Sequence, residues 1–264
     1  MSYLFYALAS ALGGLLVGLI GTGMSLVVLP SLVLLFASLL DGYDTLRLAA
    51  GTTMAAMAAG AISGALVQYR AGHVDVRLFQ WMLAPYVVGG LAGPWVSRLL
   101  PTSFLSTYIA VIITAIATRM LLTRRNASPA QRDYSAHRLE LSVVLAGIAL
   151  LSSIAGVASG IFAIPYLIAR FSIPVRTIIG TSTGAAAVYS TVGAIGYVSA
   201  GWSAPDLPEY SLGFVYLPAF LIMAVTASLF TPLGVRLASY INEQVLRRFF
   251  AVFLLVAAAA ILLS

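Results

Sequence analysis

Cysteine and lysine are absent from the 264-residue sequence, and only 8% of the residues are charged. Without cysteine, the chain has no disulfide, no thiol chemistry and no indication of its redox compartment. Water-soluble domains carry about a quarter charged residues, whereas 61% of this chain is hydrophobic and its mean hydropathy is +1.02. Such a chain lacks the polar surface that water requires. The composition therefore predicts an integral membrane protein with lipid as its solvent.

Ionisable residues are also missing from the apolar segments, which excludes several functions. No Asp, Glu, His or Lys lies in the middle of a segment long enough to span a bilayer. Proton pumps and cation-coupled carriers usually place such groups there. Both histidines, His73 and His137, fall in loops, so we expect no metal site and no cofactor. The net charge of +6 comes from arginines that flank apolar segments, which indicates membrane topology and no nucleic-acid partner.

The sequence contains an internal repeat. The segments GTGMSLVVLPSLVLLF, RLAAGTTMAA and GPWVSRLL recur in the same order as GVASGIFAIPYLIARF, RTIIGTSTGA and TPLGVRLA. Pro30 thereby corresponds to Pro165, and Arg47 to Arg176. Long repeats in a membrane chain are typical of duplicated transporter halves. We expect a first membrane repeat (1–122), a linker (123–138) and a second membrane repeat (139–264).

Each repeat opens with an apolar stretch that is broken in the middle, at residues 3–40 and 140–170. Other apolar runs cover 46–69, 78–97, 103–122, 176–200, 211–234 and 245–263. If each broken stretch forms a hairpin, one side of the membrane receives every arginine except Arg47 and Arg98. That asymmetry follows the positive-inside rule, so the linker is predicted to be cytoplasmic and both termini outside.

This topology specifies the fold class. We expect an all-α membrane protein with about five helical segments in each repeat, the first two forming a broken or re-entrant hairpin. Because the number of segments is odd, the second repeat enters the membrane in the opposite direction, and the repeats are inverted.

The two breaks are candidate binding elements. We call residues 21–23 the first tip and residues 158–160 the second tip. Non-helical backbone at membrane depth is tolerated only where protein buries it or where it lines a cavity. The returning arms, which begin at Met24 and Ile161, would direct unpaired amides and positive dipole ends toward the tips. Two such helix N-termini form an anion site, although small residues at a break also serve close helix packing.

A second set of candidates follows each hairpin. The runs at 51–53 and 180–183 each begin four residues after an arginine. Their hydroxyls either line the same cavity or bond back to the preceding helical turn. Arg47 and Arg176 either attract an anion or anchor the segment at the interface. The predicted substrate-binding residues are Gly21, Thr22, Gly23, Met24, Ser25, Thr52, Thr53, Ser159, Gly160, Ile161, Thr181 and Ser182.

These segments resemble the TauE/SafE sulfite exporter family, also known as the 4-toluene sulfonate uptake permeases. GGLLVGLIGTGMSLVVLPSLVLL and SSIAGVASGIFAIPYLI are similar to its twin signature, a glycine-rich break followed by an apolar run and a proline. The resemblance implies a transporter, and not an enzyme, of small anions such as sulfite, sulfoacetate or other organosulfonates across a prokaryotic cell (inner) membrane. The tips depart from the usual triple glycine, because Thr22 and Ser159 bring polar side chains there.

Two other functions compete with transport. An intramembrane serine protease would use the second tip as its nucleophile loop, but it needs a base, and no histidine lies at membrane depth. A structural membrane subunit would not need paired helix breaks.

An inside-negative potential of about 100 mV favours export of a monovalent anion by roughly 2.3 kcal/mol, so export is the simpler direction. We expect either a monomer or a homodimer.

Overall fold

A computed structural model of the chain describes residues 2–40, 43–122, 133–205 and 207–238. The first half contains helices α1 (Ser2–Ile20), α2 (Met24–Leu39), α3 (Thr45–Arg70), α4 (Val76–Leu99) and α5 (Thr102–Leu122). The second half contains a 3₁₀ turn (Tyr134–His137) and helices α6 (Arg138–Ile154), α7 (Gly160–Arg170), α8 (Val175–Gly201) and α9 (Leu217–Leu237). Strands β1 (Ser211–Leu212) and β2 (Val215–Tyr216) pair antiparallel between α8 and α9.

The described helices confirm the predicted all-α membrane class. Five of them (α1, α3, α6 with its preceding 3₁₀ turn, α8 and α9) are long and apolar enough to cross a bilayer. Large apolar side chains such as Leu12, Val88 and Leu229 are exposed midway along helices, as a lipid-facing surface requires. The predicted segment at 245–263 and residues 123–132 of the linker lie outside the described residues.

One predicted segment begins later than its hydropathy suggested. The apolar run at 211–234 opens with the β1–β2 ribbon, and helix α9 starts only at Leu217. Gly213 has φ 54° in the tight turn between the strands, a left-handed conformation that glycine adopts without steric cost. Pro218 occupies the first turn of α9, where its missing N–H costs nothing. Apolar composition alone could not separate this ribbon from the helix.

Both broken stretches fold as two helices joined at a break. α1 ends at Ile20 and α2 begins at Met24, and Gly21 and Gly23 between them have φ 78° and 127°. In the second half Gly156 has φ 69°, between α6 and α7. α7 has only 11 residues, a length of about 16 Å, or roughly half of the bilayer's hydrocarbon core.

Helices α3 and α8 pack against each other in antiparallel orientation. A Cβ added to Gly51, near the start of α3, would lie 3.0 Å from Cβ of Tyr197 near the end of α8. A Cβ added to Gly180, near the start of α8, would lie 2.8 Å from Cβ of His73, just after α3. Around this pair, α1 packs on α9 and α4 packs on α6, while α3 also contacts α9 and α8 contacts α4.

Each break contacts a helix of the opposite half, and the two contacts are equivalent when the halves are exchanged. Gly21 at the first break lies against Ile179 of α8, with 2.8 Å between its added Cβ and Ile179 Cγ2. Gly156 at the second break lies against Ala50 of α3, with 2.5 Å between the corresponding Cβ atoms. Ala50 and Ile179 each stand three residues after the arginines at 47 and 176. Equivalent residues of the two halves therefore make equivalent contacts across the interface.

Candidate functional site

The two tips are in direct contact. The hydroxyl oxygen of Ser25, in the first turn of α2, accepts a hydrogen bond from the backbone amide of Ala158 at 2.9 Å. A Cβ added to Gly160 would lie 3.1 Å from Oγ1 of Thr22. The absence of a side chain at Gly160 therefore lets the first tip approach the second this closely. Each tip belongs to a different half of the chain, so the contact lies between the halves.

Both returning helices begin at these tips without a side-chain cap. Gly23 precedes α2 and has no side chain to cap it, and the Ser159 side chain, which precedes α7, makes no capping hydrogen bond. The first backbone hydrogen bond of α2 runs from the Leu26 amide to the Gly23 carbonyl oxygen at 3.0 Å. The amides of residues 23–25 therefore precede the helical hydrogen-bond ladder. In α7 the Ile161 amide already donates to the Ala158 carbonyl oxygen at 3.3 Å, so only the amides of residues 159 and 160 precede it.

Four of the predicted hydroxyls are buried without a hydrogen-bond partner among the described residues. They belong to Thr22, Thr53, Ser159 and Ser182. Buried polar groups are almost always paired, because an unpaired one costs about 1–3 kcal/mol. Thr53 and Ser182 occupy equivalent positions of the repeat, and neither bonds back to its own helix. Thr183 does bond back, to the Ile179 carbonyl oxygen at 2.8 Å.

The neighbouring hydroxyls of Thr52 and Thr181 accept hydrogen bonds from backbone amides at helix starts of the opposite half. Oγ1 of Thr52 accepts the backbone amide of Tyr216, which precedes α9, at 3.0 Å. Oγ1 of Thr181 accepts the amide of Asp75, which precedes α4, at 2.9 Å. This pair of bonds is reciprocal between the halves. Each threonine keeps one hydroxyl hydrogen with which it can donate to another group.

The two arginines at equivalent sequence positions have different environments. Arg47 is buried, and its guanidinium donates to the carbonyl oxygens of Ser97 and Leu100 and pairs with Asp44. It thereby bonds carbonyls at the end of α4, where the Ser97 carbonyl oxygen also accepts the Leu100 amide at 3.3 Å. Arg176 is exposed at the start of α8.

Sequence reasoning missed two residues around the tips. Gly156 has φ 69° and stands as far before Pro165 as Gly21 stands before Pro30. Extending the repeat alignment to the break would have found it. Tyr86 of α4 is fully buried, and its hydroxyl is unpartnered within the described chain. Nothing in the local sequence distinguishes it from a tyrosine of the core.

The part of the chain that the structure describes offers neutral donors at the tips. No group of three or more metal-ligating side chains occurs within it. Ser159 has no hydrogen-bond partner there, and the histidine rings bond elsewhere: His73 to Gln68 and His137 to the Asp133 carbonyl oxygen. A serine nucleophile needs a base within hydrogen-bond reach, so this geometry does not favour the protease alternative.

Comparison with known proteins decides the family. The sequence model of the family described as sulfite exporter TauE/SafE matches residues 6–261. The chain belongs to the TauE/SafE family. This match confirms the family resemblance that the sequence segments around the two breaks predicted.

Curated proteins similar to this TauE/SafE chain come from bacteria and an archaeon. A "Probable membrane transporter protein" of Haemophilus influenzae is 31% identical over 257 residues, which cover 95% of this chain and 94% of that protein. A probable membrane transporter protein of Bacillus subtilis is 26% identical, over 72% of this chain and 76% of that protein. One of Methanocaldococcus jannaschii is 25% identical, over 89% of this chain and 85% of that protein. No solved structure matches the chain. The family and these relatives indicate a membrane transporter.

Proposed function

We propose that this TauE/SafE protein exports small sulfur-containing anions, such as sulfite, sulfoacetate or other organosulfonates, from a prokaryotic cell. The observation that carries the proposal is the meeting of two uncapped helix starts at the tips, joined by the bond from the Ala158 amide to Ser25. Helix N-termini favour anions through their free amides and their dipoles. The hydroxyls of Thr22 and Ser159, which have no hydrogen-bond partner within the described residues, supply further donors at the same point.

The donor set suits a compact oxyanion. A sulfonate or sulfite presents several oxygens in one cluster, which two converging sets of amides and hydroxyls can meet together. Neutral donors also avoid a fixed positive charge that would trap the anion, since transport requires release as well as binding. We assign the predicted residues to this site as donors or as backbone that shapes it: Gly21, Thr22, Gly23, Met24, Ser25, Thr53, Ser159, Gly160, Ile161 and Ser182, with Thr52 and Thr181 positioning its walls.

We propose two inverted repeats, 1–122 and 139–264, as the scaffold for this site. The antiparallel packing of α3 on α8 supports the inversion, because these helices carry the equivalent runs at 51–53 and 180–183. The reciprocal bonds of Thr52 and Thr181 support a two-fold relation. In this scheme the linker is cytoplasmic and both termini are outside. The tips approach the site from opposite sides of the membrane.

Binding by the purified full-length protein tests the proposal. The panel contains sulfite, methanesulfonate and sulfoacetate, with acetate, chloride and phosphate for comparison. We expect the sulfur oxyanions to raise the melting temperature in a concentration-dependent way, since a ligand that binds only the folded state stabilises it. Counterflow in proteoliposomes, with the membrane potential set by potassium and valinomycin, then reports transport and its direction.

Two results would contradict the proposal. If no sulfur oxyanion raises the melting temperature or exchanges across the vesicle membrane, the substrate class is wrong. If acetate or phosphate binds and exchanges while every sulfur oxyanion fails, the site accepts a different anion. An inside-negative potential that accelerates influx instead of efflux would overturn the direction, because a monovalent anion gains about 2.3 kcal/mol per 100 mV on leaving the cell.

A further inference from the structure

The hydroxyl of Tyr86 lacks a partner that comparable tyrosines have. Tyr189 donates to the Val157 carbonyl oxygen at 2.9 Å. Tyr197 donates to the carbonyl oxygens of Ser153 at 2.8 Å and Ile154 at 3.0 Å. Buried tyrosine hydroxyls usually find such a partner. Tyr86 is 1% exposed, yet within the described residues its hydroxyl bonds to nothing.

Tyr86 lies beside the second tip. Its ring packs edge-on against the ring of Tyr189, with 5.6 Å between centroids, and Tyr189 bonds Val157 immediately before that tip. The Tyr86 hydroxyl also lies near the hydroxyl of Ser159, although the two do not meet hydrogen-bond geometry and neither has another partner within the described residues. Thr22 lies against Gly160, the next residue. Unpartnered hydroxyls from α4 and from both tips therefore converge.

We propose that Tyr86 is a substrate-binding residue of the same site, and that its hydroxyl donates a hydrogen bond to the anion held between the tips. This inference rests on the proposed function and adds a donor from outside the broken hairpins. A phenol is a more acidic donor than a serine or threonine hydroxyl, so its bond to an oxyanion is strong. The anion is then the partner that the Tyr86 hydroxyl lacks among the described residues.

The Tyr86 donor also makes the site asymmetric. Gly89 of α4 packs on Ala149 of α6, and the equivalent contact joins Ala227 of α9 to Gly14 of α1. Because Gly89 thus corresponds to Ala227, Tyr86 corresponds to Ala224, which has no hydroxyl. A two-fold scaffold consequently presents the phenol on one side only. An anion with unlike ends, such as sulfoacetate, binds in one preferred orientation.

Replacement of Tyr86 by phenylalanine removes the hydroxyl and little else. Calorimetric titration of the purified full-length Tyr86→Phe protein with sulfite, methanesulfonate and sulfoacetate should show affinity about ten- to a hundredfold lower than the parent's, the loss expected for a hydrogen bond to a charged group. Its melting temperature without anion should equal or exceed the parent's, since the deleted hydroxyl has no partner among the described residues. Tyr197→Phe is the matched control: it should lower the melting temperature and leave anion affinity unchanged.

A double-mutant cycle adds a second readout. If Tyr86 and Ser159 bond the same anion, the losses of affinity in Tyr86→Phe and Ser159→Ala should not add in the double variant. Parent-like affinity of Tyr86→Phe for every anion that the parent binds would overturn the role of Tyr86 and leave the proposed function standing. A lower melting temperature with unchanged affinity would make it a packing residue. If the parent itself binds none of the probes, both proposals fall.

Discussion

Adjacent threonines of α3 differ in what their hydroxyls contact. Thr52 accepts the Tyr216 amide, whereas Thr53 has no partner in the described chain. Thr52→Val should therefore lower the free energy of unfolding by about 1–3 kcal/mol, since the partly buried Tyr216 amide loses its acceptor. Thr53→Val should leave stability unchanged and weaken anion binding by about 1.5–3 kcal/mol, the range for a hydrogen bond to a charged group. Melting temperature and calorimetric affinity of the two variants distinguish these effects. Equal losses of stability would contradict the assignment.

The paired arginines give a second test at the residue scale. Arg47→Gln should destabilise the fold by about 1–3 kcal/mol, because the end of α4 loses the donor to the carbonyl oxygens of Ser97 and Leu100. Arg176→Gln should change the free energy of unfolding by less than about 0.5 kcal/mol, as substitutions at exposed positions usually do.

If Arg176 attracts anions, its variant should transport more slowly at low salt and at the parent's rate at high salt, because salt screens exposed charges. The readouts are thermal unfolding and proteoliposome flux. If Arg176→Gln transports at the parent's rate at low salt as well as at high salt, this residue is an interfacial anchor only.

At the scale of elements, the second break depends on Gly156. An alanine there must adopt φ 69°, and its Cβ would lie 2.6 Å from Cα of Ala50 in α3. Gly72 has φ 72°, yet an added Cβ meets nothing within 4 Å, so Gly72→Ala isolates the backbone penalty of about 1–2 kcal/mol. Gly156→Ala should cost about 1–3 kcal/mol more, through overpacking against a backbone that cannot move away.

Thermal unfolding of the two glycine variants, followed by their tryptophan fluorescence, checks this difference. Matching melting temperatures would mean that α3 and the second break can separate at little cost. Such a result would also remove Gly156 from the features that hold the tips together.

At the scale of the whole molecule, the proposed inversion of the repeats and the distribution of arginines predict the membrane topology. The chain has no cysteine, so single cysteines placed at Ser128 and Ser264 report their own accessibility. An impermeant thiol reagent added to intact cells should label the cysteine at Ser264 and spare the one at Ser128, because the proposed topology places the linker in the cytoplasm and the C-terminus outside. Labelling of Ser128 alone would mean that the orientation is reversed. If cysteines placed at Ser2 and Ser264 are accessible from opposite sides of the membrane, the two repeats do not have five segments each.

Composition and residue order alone determined the membrane class, the recurrence of sequence segments and the apolar stretches that each contain a break. These properties depend on local chemistry: few charges, long apolar runs, and glycines that recur before Pro30 and Pro165. Only the tertiary structure decided which hydroxyls are paired, because the partner of Thr52 stands at Tyr216, in the other half of the chain. It likewise brought Tyr86 to the second tip, since side chains far apart in sequence share an environment only once helices of both halves have packed.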